Sequence, residues 1–261
     1  MLYFDKITPR NIYMNKALCA LLAVMVCVCT VGAADTIVDE AKLQALKAKN
    51  VVLQDPVLSI KGAIEKPQSY ILKLEAQSAQ GSQFITAYLD KKTDELYIGS
   101  AYDKEGNAMV YPQDAKIISE GIAFSYGKGD EELYIVMDPE CLYCNRFEKA
   151  VAGKLDDFKV HVILFPLPFH QKAPAMIEWI MQGNDDADKK ARFEEIMLKG
   201  STHYEILIKD ATKPFVYSSE TQAYIEKSNL ATMELGVRGT PSIFNAEFMP
   251  VMQEELLEGG E

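Results

Sequence analysis

Hydrophobic and polar positions alternate between recognisable periods along this chain. Residues 17–31 form an uncharged apolar run, followed by the small residues Gly32, Ala33 and Ala34. Residues 36–49 read as a short helix with Thr36 as a candidate N-cap. Alternation in 57–64, and within 69–76, 83–89 and 95–101, predicts strands, with Gly81-Ser82 and residues 103–107 supplying turns. Together these make a helix followed by an antiparallel sheet. Residues 113–124 are helical in pattern, through Ala115, Ile118 and Ile122, and Gly127-Lys128-Gly129-Asp130 reads as a flexible joint.

From there the pattern changes. Residues 132–137 predict a buried strand, Asp138-Pro139-Glu140 turns the chain, and Phe147, Ala150 and Val151 continue a helix from Cys141 up to Gly153. Residues 159–165 predict a second strand. Strand, helix and strand over about 30 residues form the crossover of a parallel pair. Residues 174–182 and 187–198 read as amphipathic helices inserted beyond it, with Met176, Trp179, Ile180 and Met181 as core. A helix over 219–235 stops at Gly236, a candidate C-cap, and Gly239-Thr240-Pro241 leads into an apolar strand.

Composition narrows the function classes. With 261 residues, 48% hydrophobic and 25% charged, the chain is that of an ordinary globular protein. Its net charge of −11 argues against a phosphate backbone as partner, so no nucleic acid is expected. Asn15 and Lys16 precede the apolar run, which is shorter than the about 20 residues that span a bilayer. Residues 1–34 therefore predict a secretory signal peptide cleaved near Ala33 or Ala34, with an uncleaved anchor as the alternative. Met14 is a second candidate start. Val26 and Val28 before Cys27 and Cys29 argue against lipidation. The leader holds Lys6, Arg10 and Lys16 against Asp5, so its removal leaves a still more acidic, exported protein.

Of the five cysteines, Cys19, Cys27 and Cys29 leave with the leader, and Cys141-Leu142-Tyr143-Cys144 remains. A two-residue spacing closes almost no loop and would stabilise little. Zinc would need further ligands from His161, His170 and His203 alone. A redox dithiol is the stronger reading; a minor structural disulfide and half a metal site stay open, and no cofactor or metal is expected. Cys141 falls at a helix N-terminus, where free N–H groups favour a thiolate, so it is the candidate nucleophile. Cys144, one turn on, is placed to resolve a mixed disulfide. Asp138 and Glu140 read equally as proton relays or turn formers. His170, after a strand end, reads as a surface histidine or part of a loop near the dithiol; His161 reads as structural. The acidic end at 253–261 reads as solvated.

A CxxC after a strand, and Gly-Thr-Pro before another, resemble the thioredoxin fold. The resemblance implies a cis Pro241, with Thr240 facing the reactive sulfur and offering its backbone to an extended substrate; an ordinary trans turn proline is the alternative. The order of small sheet domain, helix and CxxC domain, with the segments 138–144 and 236–241, further resembles the DsbC/DsbG family of periplasmic thiol:disulfide interchange proteins. Tyr143 and Thr240 are typical of that branch, whereas Leu142 departs from its usual Gly or Pro. The structural cysteine pair of some isomerases is absent.

The resemblance implies a cystatin-like α+β N-terminal dimerisation domain at 35–111, a linker helix and joint at 112–130, and an α/β thioredoxin-fold domain with a helical insertion at 131–261. It implies Cys141 and Cys144 as catalytic, with Leu142, Tyr143, Thr240 and Pro241 binding substrate. Its expected partners are unfolded or misoxidised periplasmic proteins, a DsbD-like membrane thiol reductase as electron donor, and a second copy in a V-shaped homodimer. Disulfide isomerase or reductase is the activity implied. A disulfide oxidase, a chaperone-like binder and, more remotely, a metal carrier are the alternatives.

Overall fold

The alternation in residues 69–78 organises the first half of the molecule. A computed structural model describes residues 36–78, 81–209 and 214–258; the expected signal peptide and its cleavage site lie outside the described residues. Strand β1 (Thr36–Ile37) precedes helix α1 (Glu40–Lys47), and β2 (Leu58–Glu65), β3 (Ser69–Ser78), β4 (Gly81–Asp90) and β5 (Leu96–Ile98) follow. They form one antiparallel sheet in the order β1-β2-β3-β4-β5. On β3, Tyr70, Leu72 and Leu74 turn towards α1 and bury with Leu43, Leu46, Leu53, Ala63, Ala87 and Leu89. Ile71 and Lys73 point the other way, where Ile71 packs with Ile64 and Tyr88. Burying each large aliphatic of this core contributes roughly 1.5–3 kcal/mol.

Two local expectations shift here. Helix α1 is capped by Asp39, whose Oδ1 accepts the Lys42 N–H at 2.9 Å, rather than by Thr36. Thr36 instead pairs with Glu65 in the sheet. Gly81 and Ser82 do not turn the chain but extend β4, opposite Ser78 and Gln77. On β2 the register shifts between Ile60 and Gly62. A Cβ at Gly62 would lie 2.5 Å from the Tyr111 phenol oxygen, so only glycine lets that ring close on the sheet.

Helix α2 (Ala115–Glu120) leads into β6 (Phe124–Tyr126), β7 (Glu131–Met137), α3 (Leu142–Val151), β8 (Phe158–Leu164), α4 (Ala173–Met181), α5 (Asp186–Met197), α6 (Ser219–Glu234), β9 (Ser242–Phe244) and α7 (Gln253–Glu258). The second sheet runs β6-β8-β7-β9, with β7 and β8 parallel across α3 and the two outer strands antiparallel. Strand β7 is apolar on both faces. Leu133, Ile135 and Met137 meet α3 and α4, while Tyr134 and Val136 meet Ile118, Ala231 and Leu235 on the α2–α6 side.

The helix expected over 113–124 is only α2, capped by Asp114, and Phe124 enters β6. Tertiary packing overrides the helical pattern there, because Phe124 packs at a tilt against Phe193 of α5 with ring centroids 5.5 Å apart. The glycines read as a flexible joint instead permit a close crossing. A Cβ on Gly127 would lie 1.9 Å from the Phe158 carbonyl oxygen, and one on Gly129 1.6 Å from that of Asp157. Of the acidic end, Gln253–Glu258 form α7, with Glu254 and Glu255 exposed as expected and Leu256 packed on the core. Among the described residues no helix is long and apolar enough to cross a membrane.

Candidate redox site

Strand β7 delivers its last residue, Met137, to a tight turn built on Asp138. The Cys141 N–H donates to the Asp138 carbonyl at 3.0 Å, and the Glu140 N–H to Asp138 Oδ1 at 2.8 Å. That turn sets Cys141 as the N-cap of α3, its carbonyl accepting the Asn145 N–H at 3.0 Å. Its side chain therefore stands beside the unsatisfied N–H groups of the first helical turn, where negative charge is stabilised. Cys144 lies one turn inside and is wholly buried. The two thiols are unbridged.

The second wall arrives from the other end of the fold. Helix α6 ends with Gly236 at φ +66°, the Val237 N–H donating to the Thr232 carbonyl at 2.9 Å and the Gly236 N–H to that of Met233 at 3.1 Å. This paired closure needs the left-handed residue that glycine supplies. Strand β9 then ties the loop to β7 through Val136 and Ser242. Between these anchors the Thr240–Pro241 bond is cis. The Cys141 thiol donates to the Thr240 carbonyl at 3.5 Å, across 99 residues of sequence. Among the described residues the Thr240 N–H finds no main-chain acceptor.

Burial pushes the Cys144 thiol up to about 12, and the neighbouring Cys141 adds to the rise. The Thr240 hydroxyl and the Asp138 N–H, which donates to Cys144 Sγ at 3.4 Å, pull in the opposite direction. Thr240 Oγ1 is close enough to act on the sulfur, yet it is buried without a well-aligned hydrogen bond of its own. Cys141, Cys144, Thr240 and Pro241 thus converge. Leu142 and Tyr143 lie outside the pair and are exposed, at 58% and 66%. Tyr143 joins Thr240, Pro241, Pro250 and Met252 around an open groove of about 620 Å3.

One residue read ambiguously in the sequence belongs beside this site. His170 Nδ1 lies 2.8 Å from Asp138 Oδ2, which also accepts the Leu167 N–H at 2.6 Å. The Asp138 side chain has no solvent exposure. Its carboxylate therefore joins the CxxC turn to the loop after β8, and the only sequence signal was the position of His170 just past a strand end. Glu140 serves a different end: its carboxylate accepts the Lys172 and Ala173 N–H groups at 2.6 and 2.8 Å, capping α4. His161 is structural, its Nδ1 2.8 Å from Ser125 Oγ and its ring 4.8 Å from that of Tyr134. Burial holds its pKa below the usual imidazole range. Among the described residues, no group of three or more His, Cys, Asp and Glu is placed to hold a metal ion.

Residues 125–247 match the family model described as a thioredoxin-like domain. No curated protein matches the chain. Among solved structures, a periplasmic thioredoxin-like protein from Salmonella enterica serovar Typhimurium is similar at 17% identity and a TM-score of 0.44, over 56% of this chain and 97% of that one. The catalytic domain of Proteus mirabilis ScsC is similar at 19% identity and a TM-score of 0.39, over 54% and 89%. A thioredoxin-like oxidoreductase from Silicibacter pomeroyi DSS-3 is similar at 18% identity and a TM-score of 0.38, over 55% and 93%. With the parallel β7–β8 pair, the CxxC on α3 and the cis proline before β9, residues 125–247 of this chain form a thioredoxin-like domain.

Proposed function

We propose that the protein is a thiol–disulfide oxidoreductase of exported polypeptides, acting as a disulfide isomerase or reductase through Cys141 and Cys144. The observation that carries this reading is the opposition of Cys141, at the N-terminus of α3, to the Thr240 carbonyl, with Cys144 buried behind it. The Cys141 thiolate attacks one sulfur of a substrate disulfide, forming a mixed disulfide and releasing the other sulfur as a thiolate. A substrate thiolate then attacks the substrate sulfur of that bond. This expels Cys141 as a thiolate and leaves a new substrate disulfide, with no net redox change. Alternatively, Cys144 loses its proton and attacks the Cys141 sulfur. The substrate is then reduced by two electrons, and a Cys141–Cys144 disulfide remains. A thiol near pKa 12 is seldom ionised at neutral pH, so escape by Cys144 is slow and a substrate thiol has time to act first. That balance favours isomerisation over net reduction of the substrate.

Leu142, Tyr143, Thr240 and Pro241 bind the polypeptide in this reading, with Thr240 N–H pairing to its main chain. Periplasmic location rests on the leader signature of residues 1–34. A membrane thiol reductase of the DsbD type keeps the pair reduced, and the N-terminal sheet pairs two copies. Recovery of activity from scrambled ribonuclease, in a defined glutathione buffer, tests the central reading. Recovery that disappears in Cys141→Ser supports it, and recovery that persists in that variant overturns it.

A further inference from the structure

The N-terminal sheet reaches the redox loop through one buried ion pair. Lys73 Nζ on β3 donates to Glu234 Oε1 at 2.6 Å, and that carboxylate also accepts the Asp114 N–H at 2.7 Å. The Glu234 side chain is 1% exposed. An acidic residue in the last turn of a helix opposes the helix dipole, so Glu234 is held there by partners from outside α6. The Lys73 ammonium lies 4.4 Å from the centre of the Phe84 ring. This pairing fixes the start of β4 beside the loop that leaves α6.

A cavity of about 440 Å3 lies between the two, a size within the range of ligand pockets. Its apolar lining comes from Phe84 of the N-terminal sheet and from Phe165, Pro168, Met233 and Val237 of the redox domain, with Arg238 beside them. Gly236, Val237 and Arg238 also border the groove that holds Tyr143, Thr240 and Pro241. An extended chain advances about 3.3 Å per residue, so a polypeptide alongside Thr240 and then Val237 reaches this cavity about three residues from the attacked cysteine.

We propose that this cavity is a substrate subsite built jointly by the N-terminal sheet and the redox domain, and that it takes an apolar side chain of the disulfide-bearing polypeptide. The proposal rests on the thiol–disulfide reading above. It makes the N-terminal sheet part of substrate selection within a single chain, because Phe84 supplies a wall that the redox domain lacks.

The test uses the chain from Asp35 and peptides carrying one cysteine in disulfide linkage to glutathione, with Leu or Ser two, three or four residues away. The wild type should reduce the best Leu peptide about tenfold faster in kcat/KM than its Ser counterpart. Ser82→Trp, on the Phe84 face of β4 and lining the cavity, and Phe84→Ala should each bring that ratio to within about twofold, with reduction of glutathione disulfide normalising each variant. A wild-type ratio near one at every spacing overturns the subsite, as does a preference that both variants retain. Affinity for the same peptides with Ser in place of Cys reads the subsite without chemistry. A Leu preference there, lost in Ser82→Trp, upholds the subsite even where glutathione disulfide is not reduced and the redox reading fails. Equal affinity for Leu and Ser peptides rejects it while leaving the redox reading intact.

Discussion

His170 and Asp138, 32 residues apart in sequence, meet at 2.8 Å, while the Asp138 N–H donates to the buried sulfur of Cys144 at 3.4 Å. A carboxylate without solvent exposure must find its donors in the protein, and Asp138 finds the His170 ring with the N–H groups of Glu140 and Leu167. Asp138→Ala removes the acceptor common to all three and should cost about 3 kcal/mol in denaturant unfolding. His170→Gln, which keeps a donor, should lose less than His170→Ala. Equal losses from the two histidine variants would show that packing, not the hydrogen bond, is what His170 contributes.

The two cysteines should separate by reactivity. Cys141, 5% exposed, caps the N-terminus of α3 where a thiolate is stabilised, and Cys144 has no exposure and a thiol near pKa 12. Iodoacetamide near neutral pH should add to Cys141 alone, read by mass spectrometry of the digested protein. In the Cys144→Ser variant the mixed disulfide with a substrate peptide should persist, visible on non-reducing gels. Comparable labelling of both thiols in the folded wild type would contradict this arrangement.

Lys73 and Glu234 make an unequal pair of substitutions. Lys73→Met leaves a buried carboxylate without its cation and should lower stability by about 3–5 kcal/mol. Adding Glu234→Gln to that variant should restore a large part of the loss, because no buried charge then remains unpaired. Thermal melts of the two single variants and the double variant measure the coupling.

Glu148 on α3 predicts a pH effect on stability. Burial pushes its carboxyl up to about 7, with Glu194 adding to the rise and Lys190 opposing it. The folded chain therefore binds a proton at Glu148 between about pH 4.5 and 7 that the unfolded chain has released. Stability from this group falls as the pH rises through that window and stays lower above it. Glu148→Gln should be more stable than the wild type near pH 8 and gain nothing near pH 4. A gain that is the same at both pH values would assign the effect to packing.

Much of the scaffold was legible because it rests on local periodicity. The alternation of β2 to β4, the apolar run of β7 and the helical spacing after Cys141 each declare an element without reference to distant residues. Where a residue's place depends on a partner far along the chain, the pattern misled. Phe124 continued a helical pattern but forms a strand against Phe193, and the acidic residues of α7 concealed Leu256 packing on the core.

The candidate site divides along the same line. Its cysteines, its Thr-Pro pair and their positions at a helix start and a strand start are properties of short segments, so the sequence alone determined them. Only the tertiary structure decided that Asp138 holds His170 to the CxxC turn, that Glu140 caps α4, and that Lys73 carries the N-terminal sheet to the end of α6. The physical reason is desolvation: a buried charge must be matched, and packing alone decides which distant group comes near enough to match it.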